Sequence, residues 1–131
     1  MKKKMIVVTC GAGFVGSNLI NFFLKKTSYK IISIDDYSSG SKLNHLKNSR
    51  IKYIKASTAD IFEILKYPKK INAIFHFGEF ARIYQSFLST SDCINSNTIG
   101  TKAVFNYCLK NNVKLIYSAT SASLGNKGND K

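Results

Sequence analysis

Three glycines in six residues, Gly11-Ala12-Gly13-Phe14-Val15-Gly16, followed by Asp35 at the end of the next apolar segment, are the residues of this chain whose types and spacing most clearly imply chemistry. Gly11 allows a tight turn. Gly13 has no Cβ, so main chain can approach a pyrophosphate. Gly16 allows a helix to pack closely on the preceding strand. A helix starting here offers free N–H groups and a partial positive charge to phosphates. Asp35 stands where a carboxylate can accept both ribose hydroxyls of an adenosine. A glycine-rich turn used only for packing would leave Asp35 without a role, so the pattern reads as a dinucleotide site.

These residues need a strand before the glycines, a helix after them and a second strand ending on the acid. The sequence supplies all three. Residues 5–9 are apolar, 14–26 carry Val15, Leu19, Phe22 and Phe23 at helical spacing with Lys25 and Lys26 at the C-terminal end, and 30–34 are again apolar. Further strands are expected at 51–55, 73–77 and 114–117. Helices are expected at 42–47, at 59–66 with Pro68 as the stop, and at 94–110 with Ile94, Thr98, Thr101, Phe105 and Leu109 on one face. Alternating strands and helices imply an α/β fold with a parallel sheet covered on both faces, of about five strands in the order 3-2-1-4-5. The ligand crevice then lies at the carboxyl ends of strands one and four.

The chain has 131 residues, a net charge of +13 and 44% apolar content, enough for one domain with a real core. We read residues 1–124 as that domain and 125–131 as a polar, glycine-containing tail, expected to be disordered. The charge invites a nucleic-acid reading, but only Arg50 and Arg82 are arginines and the lysines are scattered, so no nucleic-acid partner is expected. Lys2, Lys3 and Lys4 before an apolar run imitate a signal peptide. Glycines break that run and no small-residue cleavage site follows, so a cytoplasmic protein without a membrane partner is expected. Cys10, Cys93 and Cys108 lack metal or redox spacing; no metal site is expected.

Six motifs in order carry a family resemblance: VTCGAGFVGSNL, IDDYSSGS, Ala59-Asp60-Ile61, IFHFGEFARIYQSF, Asn97-Thr98-Ile99-Gly100-Thr101 and LIYSATSASLG. Over nearly its whole length the chain resembles the N-terminal part of the extended short-chain dehydrogenase/reductases. It looks most like the NAD-dependent nucleotide-sugar epimerases and dehydratases of the UDP-glucose 4-epimerase type. The resemblance implies a Rossmann doubly wound sheet, cut short before the family's substrate domain, and a set of roles. Gly11, Gly13, Phe14, Val15 and Gly16 would hold the pyrophosphate. Asp35 would take the adenosine ribose, and Asp60 and Ile61 would flank the adenine. Phe77 and Gly78 would line the nicotinamide side, and Asn97 would support the cofactor site. Thr120 occupies the place of the catalytic Ser/Thr that hydrogen-bonds the sugar hydroxyl being oxidised. Other readings stand beside these: Asp60 as a helix N-cap with Glu63 completing a capping box, Asn97 as a solvated helix residue, Thr120 as a turn hydroxyl and His76 as structural.

NAD is expected over NADP, because Asp35 and Asp36 would repel a 2′-phosphate and no arginine stands beside them. The substrate implied is a nucleotide sugar, a UDP-sugar first, with C4 epimerisation ahead of dehydration: Ser121 and Ala122, not an acid, follow Thr120. The alternative from another class is a non-catalytic dinucleotide-binding or sensor module. Members of the family commonly form homodimers. Some residues depart from the pattern. Cys10 replaces a glycine, which is tolerable only at φ < 0. Gly78-Glu79 replaces two alanines, with Glu79 read either as altering substrate choice or as facing solvent. No tyrosine has a lysine four residues later, so the family's YxxxK acid/base pair is absent and this chain is expected to turn over little by itself.

Overall fold

The computed structural model describes residues 4–120. The expected 125–131 tail, like Ser121, Ala122 and Leu124, lies outside them. Five strands, β1 (Met5–Thr9), β2 (Lys30–Asp35), β3 (Ile51–Lys55), β4 (Ile71–His76) and β5 (Lys114–Tyr117), form one sheet in the order β3-β2-β1-β4-β5. Every pairing is parallel. The chain reverses direction of travel between β1 and β4, which puts the topological switch point, and so the ligand crevice, at their carboxyl ends. Val7 pairs with Ile32 on one side and Ile74 on the other. At the foot of β4, Asn72 slips out of register and its Oδ1 accepts the Met5 N–H at 2.9 Å.

Strand alternation sends side chains to two cores. Ile6 and Val8 face helix α1 (Phe14–Lys26) with Ile20, Ile31 and Ala73. Val7 faces the other layer with Ile34, Ile74, Val104, Tyr107 and Cys108. That layer holds α2 (Ile61–Ile64) and α5 (Thr101–Asn111), while α3 (Ile83–Leu88) and α4 (Thr90–Ile94), between β4 and α5, bury no residue. Tyr107, 1% exposed, ties α5 to the end of α2 by donating its hydroxyl hydrogen to the Leu65 carbonyl at 2.8 Å. Burial pushes its phenol up to about 12. Asn112, at φ 51, closes α5 with its N–H on the Cys108 and Leu109 carbonyls. The Arg50 guanidinium donates to the Leu24 and Thr27 carbonyls at the end of α1.

Several local expectations are corrected. The inward stripe of α1 is Gly16 and Ile20 with Leu19 and Phe23 beside them, while Val15 and Phe22 point outward. Close approach at Gly16 sets that rotation. The 42–47 helix is one 3₁₀ turn, Lys42–Asn44. The 59–66 helix is a 3₁₀ turn, Thr58–Asp60, running into the four residues of α2, so it ends before Pro68, which opens another 3₁₀ turn, Pro68–Lys70. α3 was not expected at all. The 94–110 helix contains a π-helical turn, Asn95–Gly100. The buried face of α5 is Thr101, Val104, Tyr107 and Cys108, while Ile94, Phe105 and Leu109 are exposed. Among the described residues no helix is long and apolar enough to cross a membrane.

Candidate functional site

The glycine turn follows from three steric facts. A Cβ on Gly16 would lie 2.3 Å from the Cys10 carbonyl oxygen, and one on Gly11 would lie 2.1 Å from Ser33 Oγ. One on Gly13 would lie 3.0 Å from Cys10 Sγ. None of these positions tolerates a larger residue without movement. The positive φ of the turn falls on Cys10, at 54°, and not on the glycines. This overturns the condition that Cys10 keep φ < 0: the residue holds a left-handed conformation at a cost of about 1–2 kcal/mol. Burial, with Asp35 and Asp36 nearby, pushes its thiol up to about 11, which makes it a poor nucleophile. Ser39, on the loop after β2, lies near its sulfur.

α1 begins at Phe14, with Gly13 as N-cap and no side-chain cap. The first helical bond runs from the Ser17 N–H to the Gly13 carbonyl at 3.0 Å. The N–H groups of Phe14, Val15 and Gly16 therefore precede the helical ladder. The side chains of Phe14 and Val15 stand 83% and 56% exposed there.

Asp35 is 5% exposed at the tip of β2. Its Oδ2 accepts the Ala12 N–H at 2.9 Å and its Oδ1 accepts the Tyr37 N–H at 2.8 Å. The Ala12 carbonyl in turn accepts the Ser41 N–H at 3.1 Å and Asn44 Nδ2–H at 2.8 Å. The acid and the glycine turn are thus one hydrogen-bonded unit, with the 36–44 loop folded against it. Each carboxylate oxygen keeps a second acceptor site for a ligand hydroxyl. Asp36 is exposed and is used locally, accepting Ser38 N–H at 2.8 Å and Ser38 O–H at 2.6 Å.

On the other side of the crevice, β4 ends at His76, so Phe77 and Gly78 lie just past the strand. Both donate their N–H to Thr9 Oγ1 at 3.0 Å. Ser96 Oγ–H donates to the Gly78 carbonyl at 3.1 Å. Asn97 grips Phe80 twice, accepting its N–H at 2.6 Å and donating to its carbonyl at 3.0 Å. The reading of Asn97 as a solvated helix residue is overturned. It supports the exit loop of β4 from the π turn, which turns Ser96 and Asn97 toward that loop. His76, fully buried, bridges Thr9 Oγ1 at 2.8 Å and Thr101 Oγ1 at 3.0 Å, and burial lowers its pKa against a weaker pull from Glu79.

Asp60 is exposed, beyond β3, and its side chain makes no cap bond to α2, which counts against the capping box; Ser57 caps that turn instead. Ile61 is buried in the core. Ser86 lies inside α3, its hydroxyl on the Ile83 carbonyl. Thr120 is exposed, three residues past β5. The structure therefore joins the glycines to Asp35, and Phe77 and Gly78 to Asn97 through their loop. It leaves Asp36, Asp60 and Thr120 at the surface. Sequence reasoning missed Thr9, Ser96, Thr101 and Tyr117. The signals were a lone polar residue closing an apolar strand, and hydroxyls one position before and four after Asn97.

A family model for the NAD-dependent epimerase/dehydratase family matches residues 6–131. The chain belongs to the NAD-dependent epimerase/dehydratase family. Among solved structures, the family's fold is seen in the UDP-N-acetylglucosamine 4-epimerase of Methanobrevibacter ruminantium M1, in complex with UDP-N-acetylmuramic acid. It is 32% identical, covers 99% of this chain and 42% of its own, with a TM-score of 0.83. The UDP-glucose 4-epimerase of Thermotoga maritima, solved with UDP-glucose, is 27% identical over 90% of this chain and 38% of its own, TM-score 0.76. The Bordetella bronchiseptica enzyme WbmF, in complex with NAD+, shares the fold at 22% identity over 92% of this chain and 37% of its own, TM-score 0.83. The chain spans about two fifths of the length of these structures. The family's cofactor is NAD.

Proposed function

We propose that this chain is the NAD-binding portion of a nucleotide-sugar epimerase that acts on a UDP-sugar, with inversion at C4. The observation that carries the reading is the single unit formed by the glycine turn and Asp35, in which a Cβ at position 11 or 16 would collide with Ser33 Oγ or the Cys10 carbonyl and so break the close packing of helix on strand. A pyrophosphate fits its donors: main-chain N–H groups at the start of α1 and a helix dipole, with no side chain in the way. Bound there, NAD supplies a reversible hydride acceptor. In this reading Gly11, Gly13, Phe14, Val15 and Gly16 hold the pyrophosphate and Asp35 accepts ribose hydroxyls. Asp60 and Ile61 flank the adenine. Phe77 and Gly78, whose N–H groups are already taken by Thr9, offer a firm wall on the nicotinamide side, braced by Asn97. Thr120 hydrogen-bonds the sugar hydroxyl.

Likeness to two UDP-sugar 4-epimerases supports the choice of substrate class and of position. Dehydration in the same family is the second reading, disfavoured by Ser121 and Ala122 after Thr120. NAD is preferred to NADP, since Asp36 is exposed beside Asp35 and would repel a 2′-phosphate. Homodimer formation belongs to the whole protein.

Calorimetric titration of the chain with NADH and NADPH, beside Asp35→Ala, tests the reading. NADH is expected to bind and NADPH to bind at least tenfold more weakly, and Asp35→Ala is expected to cost NADH about tenfold or more, roughly one lost charged hydrogen-bond set. A folded chain that binds neither cofactor, or an Asp35→Ala variant with unchanged NADH affinity, overturns it.

A further inference from the structure

Glu79 stands outside the roles assigned above. Its Oε1 accepts Tyr117 Oη–H at 2.5 Å and Thr101 Oγ–H at 3.3 Å. The directions of the surrounding bonds follow by counting. Thr9 Oγ1 already accepts from Phe77 and Gly78. Its own hydrogen is thus left for His76 Nδ1, so Nδ1 is the acceptor and Nε2–H donates to Thr101 Oγ1. Thr101 then has its one hydrogen for two acceptors, Glu79 Oε1 at 3.3 Å and the Ser96 carbonyl at 3.4 Å, of which the carboxylate is nearer and charged. The chain of donors runs from the Phe77 and Gly78 amides through Thr9, His76 and Thr101 to Glu79, and so returns to the loop where it began. Tyr117 brings β5 into the same ring. The next residue, Ser118, fastens to β4 through its N–H on the His76 carbonyl at 3.3 Å and its Oγ–H on the same oxygen at 3.2 Å. Tyr117 also stacks beside His76, ring centroids 5.9 Å apart, and meets Phe105 edge-to-face at 5.4 Å.

We propose that Glu79 is a positioning residue: as the last acceptor of this ring it holds the exit loop of β4 and the exit of β5 at their working separation, and through β5 it places Thr120. A carboxylate suits the place because it only accepts, and every member upstream already donates toward it. An alanine, as in the resembled family pattern, has no side-chain acceptor there, so this bracing needs the acid. The proposal rests on the reading of Thr120 as the residue that meets the sugar hydroxyl.

The test compares the chain with Glu79→Ala, Glu79→Gln and Tyr117→Phe. Amide hydrogen exchange is followed at Ser118, whose N–H bonds the His76 carbonyl, with the β1 amides as the reference, and the Tyr117 Cζ carbon shift reports its hydrogen bond. Glu79→Ala is expected to speed exchange at Ser118 about tenfold, the loss of one charge-assisted bond, and to shift Tyr117 Cζ. Glu79→Gln, which keeps an acceptor oxygen on the same stem, should bring exchange back to within about threefold of the parent. Tyr117→Phe removes only the donor and should reproduce the faster exchange, which keeps the question open to test if Glu79→Ala fails to fold. Unchanged exchange in Glu79→Ala and Tyr117→Phe, or a Gln variant that behaves as the Ala variant, overturns the proposal. NADH titration of the parent chain is the separate control: failure to bind there defeats the reading of the crevice, whereas the exchange and shift data judge Glu79 alone.

Discussion

The two walls of the crevice are built by different means. On the β1–β2 side, main chain does the holding: a turn with no room for a Cβ, helix N–H groups, and one buried carboxylate that accepts two amides. On the β4–β5 side, side chains do it: Thr9, Ser96, Asn97, Thr101 and Tyr117 reach in from four elements to a loop of four residues, where Glu79 receives two of them. The first design presents a fixed array of donors to an anion and depends on what is absent, the Cβ atoms. The second depends on what is present and spreads its support over several bonds. Substitutions should therefore be severe and local on the first wall, graded and shared on the second.

Gly16→Ala is the sharpest way to break that contrast. Its Cβ would meet a backbone oxygen at 2.3 Å, which cannot rotate away. We expect a loss of about 3 kcal/mol, read by denaturant unfolding, together with loss of NADH binding. A small effect would mean the turn is less rigid than its packing implies.

On the opposite wall, Asn97→Ala removes two bonds to Phe80. It should cost about 1–2 kcal/mol in the same unfolding experiment, less than Gly16→Ala, because Ser96, Thr9 and Glu79 still hold the loop. A larger loss than Gly16→Ala would invert the comparison.

Acid should weaken the second wall selectively. Burial lowers the folded-state pKa of His76, so the unfolded chain binds the proton more readily. Stability from this residue is fully present above the ordinary histidine value of about 6.5 and falls as pH drops below it, by at most about 1.4 kcal/mol per pH unit. Unfolding at pH 7.5 and 5.5 checks this, and His76→Gln should flatten the difference.

Cys10→Gly should act in the other direction. Release of a left-handed non-glycine residue is worth about 1 kcal/mol of stabilisation, set against the lost contacts of the sulfur with Ser39 and Gly13. Thermal unfolding measures the balance. A destabilised variant would show that the Cys10 side chain, though strained, is a brace between the turn and the loop after β2.

Much of the first wall was legible because it depends on residue types with few alternatives. Glycine at 11, 13 and 16 and an acid ending the next strand leave little else to do. The strand order followed from apolar runs alternating with helical ones. Much of the second wall was not legible. Thr9, Thr101 and Tyr117 are ordinary strand and helix residues until the sheet brings them within 3.3 Å of their partners. The face of the long helix was misread for a related reason. Val104 and Cys108 repeat at the same helical spacing as Phe105 and Leu109, and only packing on the sheet decides which stripe is buried.

The sequence alone determined the family, the parallel α/β sheet and its order, and the pairing of a glycine turn with Asp35, because each depends on local sterics, hydrophobic period or matched motifs. Tertiary structure alone decided that the turn's positive φ falls on Cys10, that Asn97 grips Phe80, and that Glu79 closes a ring through His76. Those outcomes depend on distances between segments far apart in the chain, and such distances exist only once the sheet has set its register and the helices have packed on it.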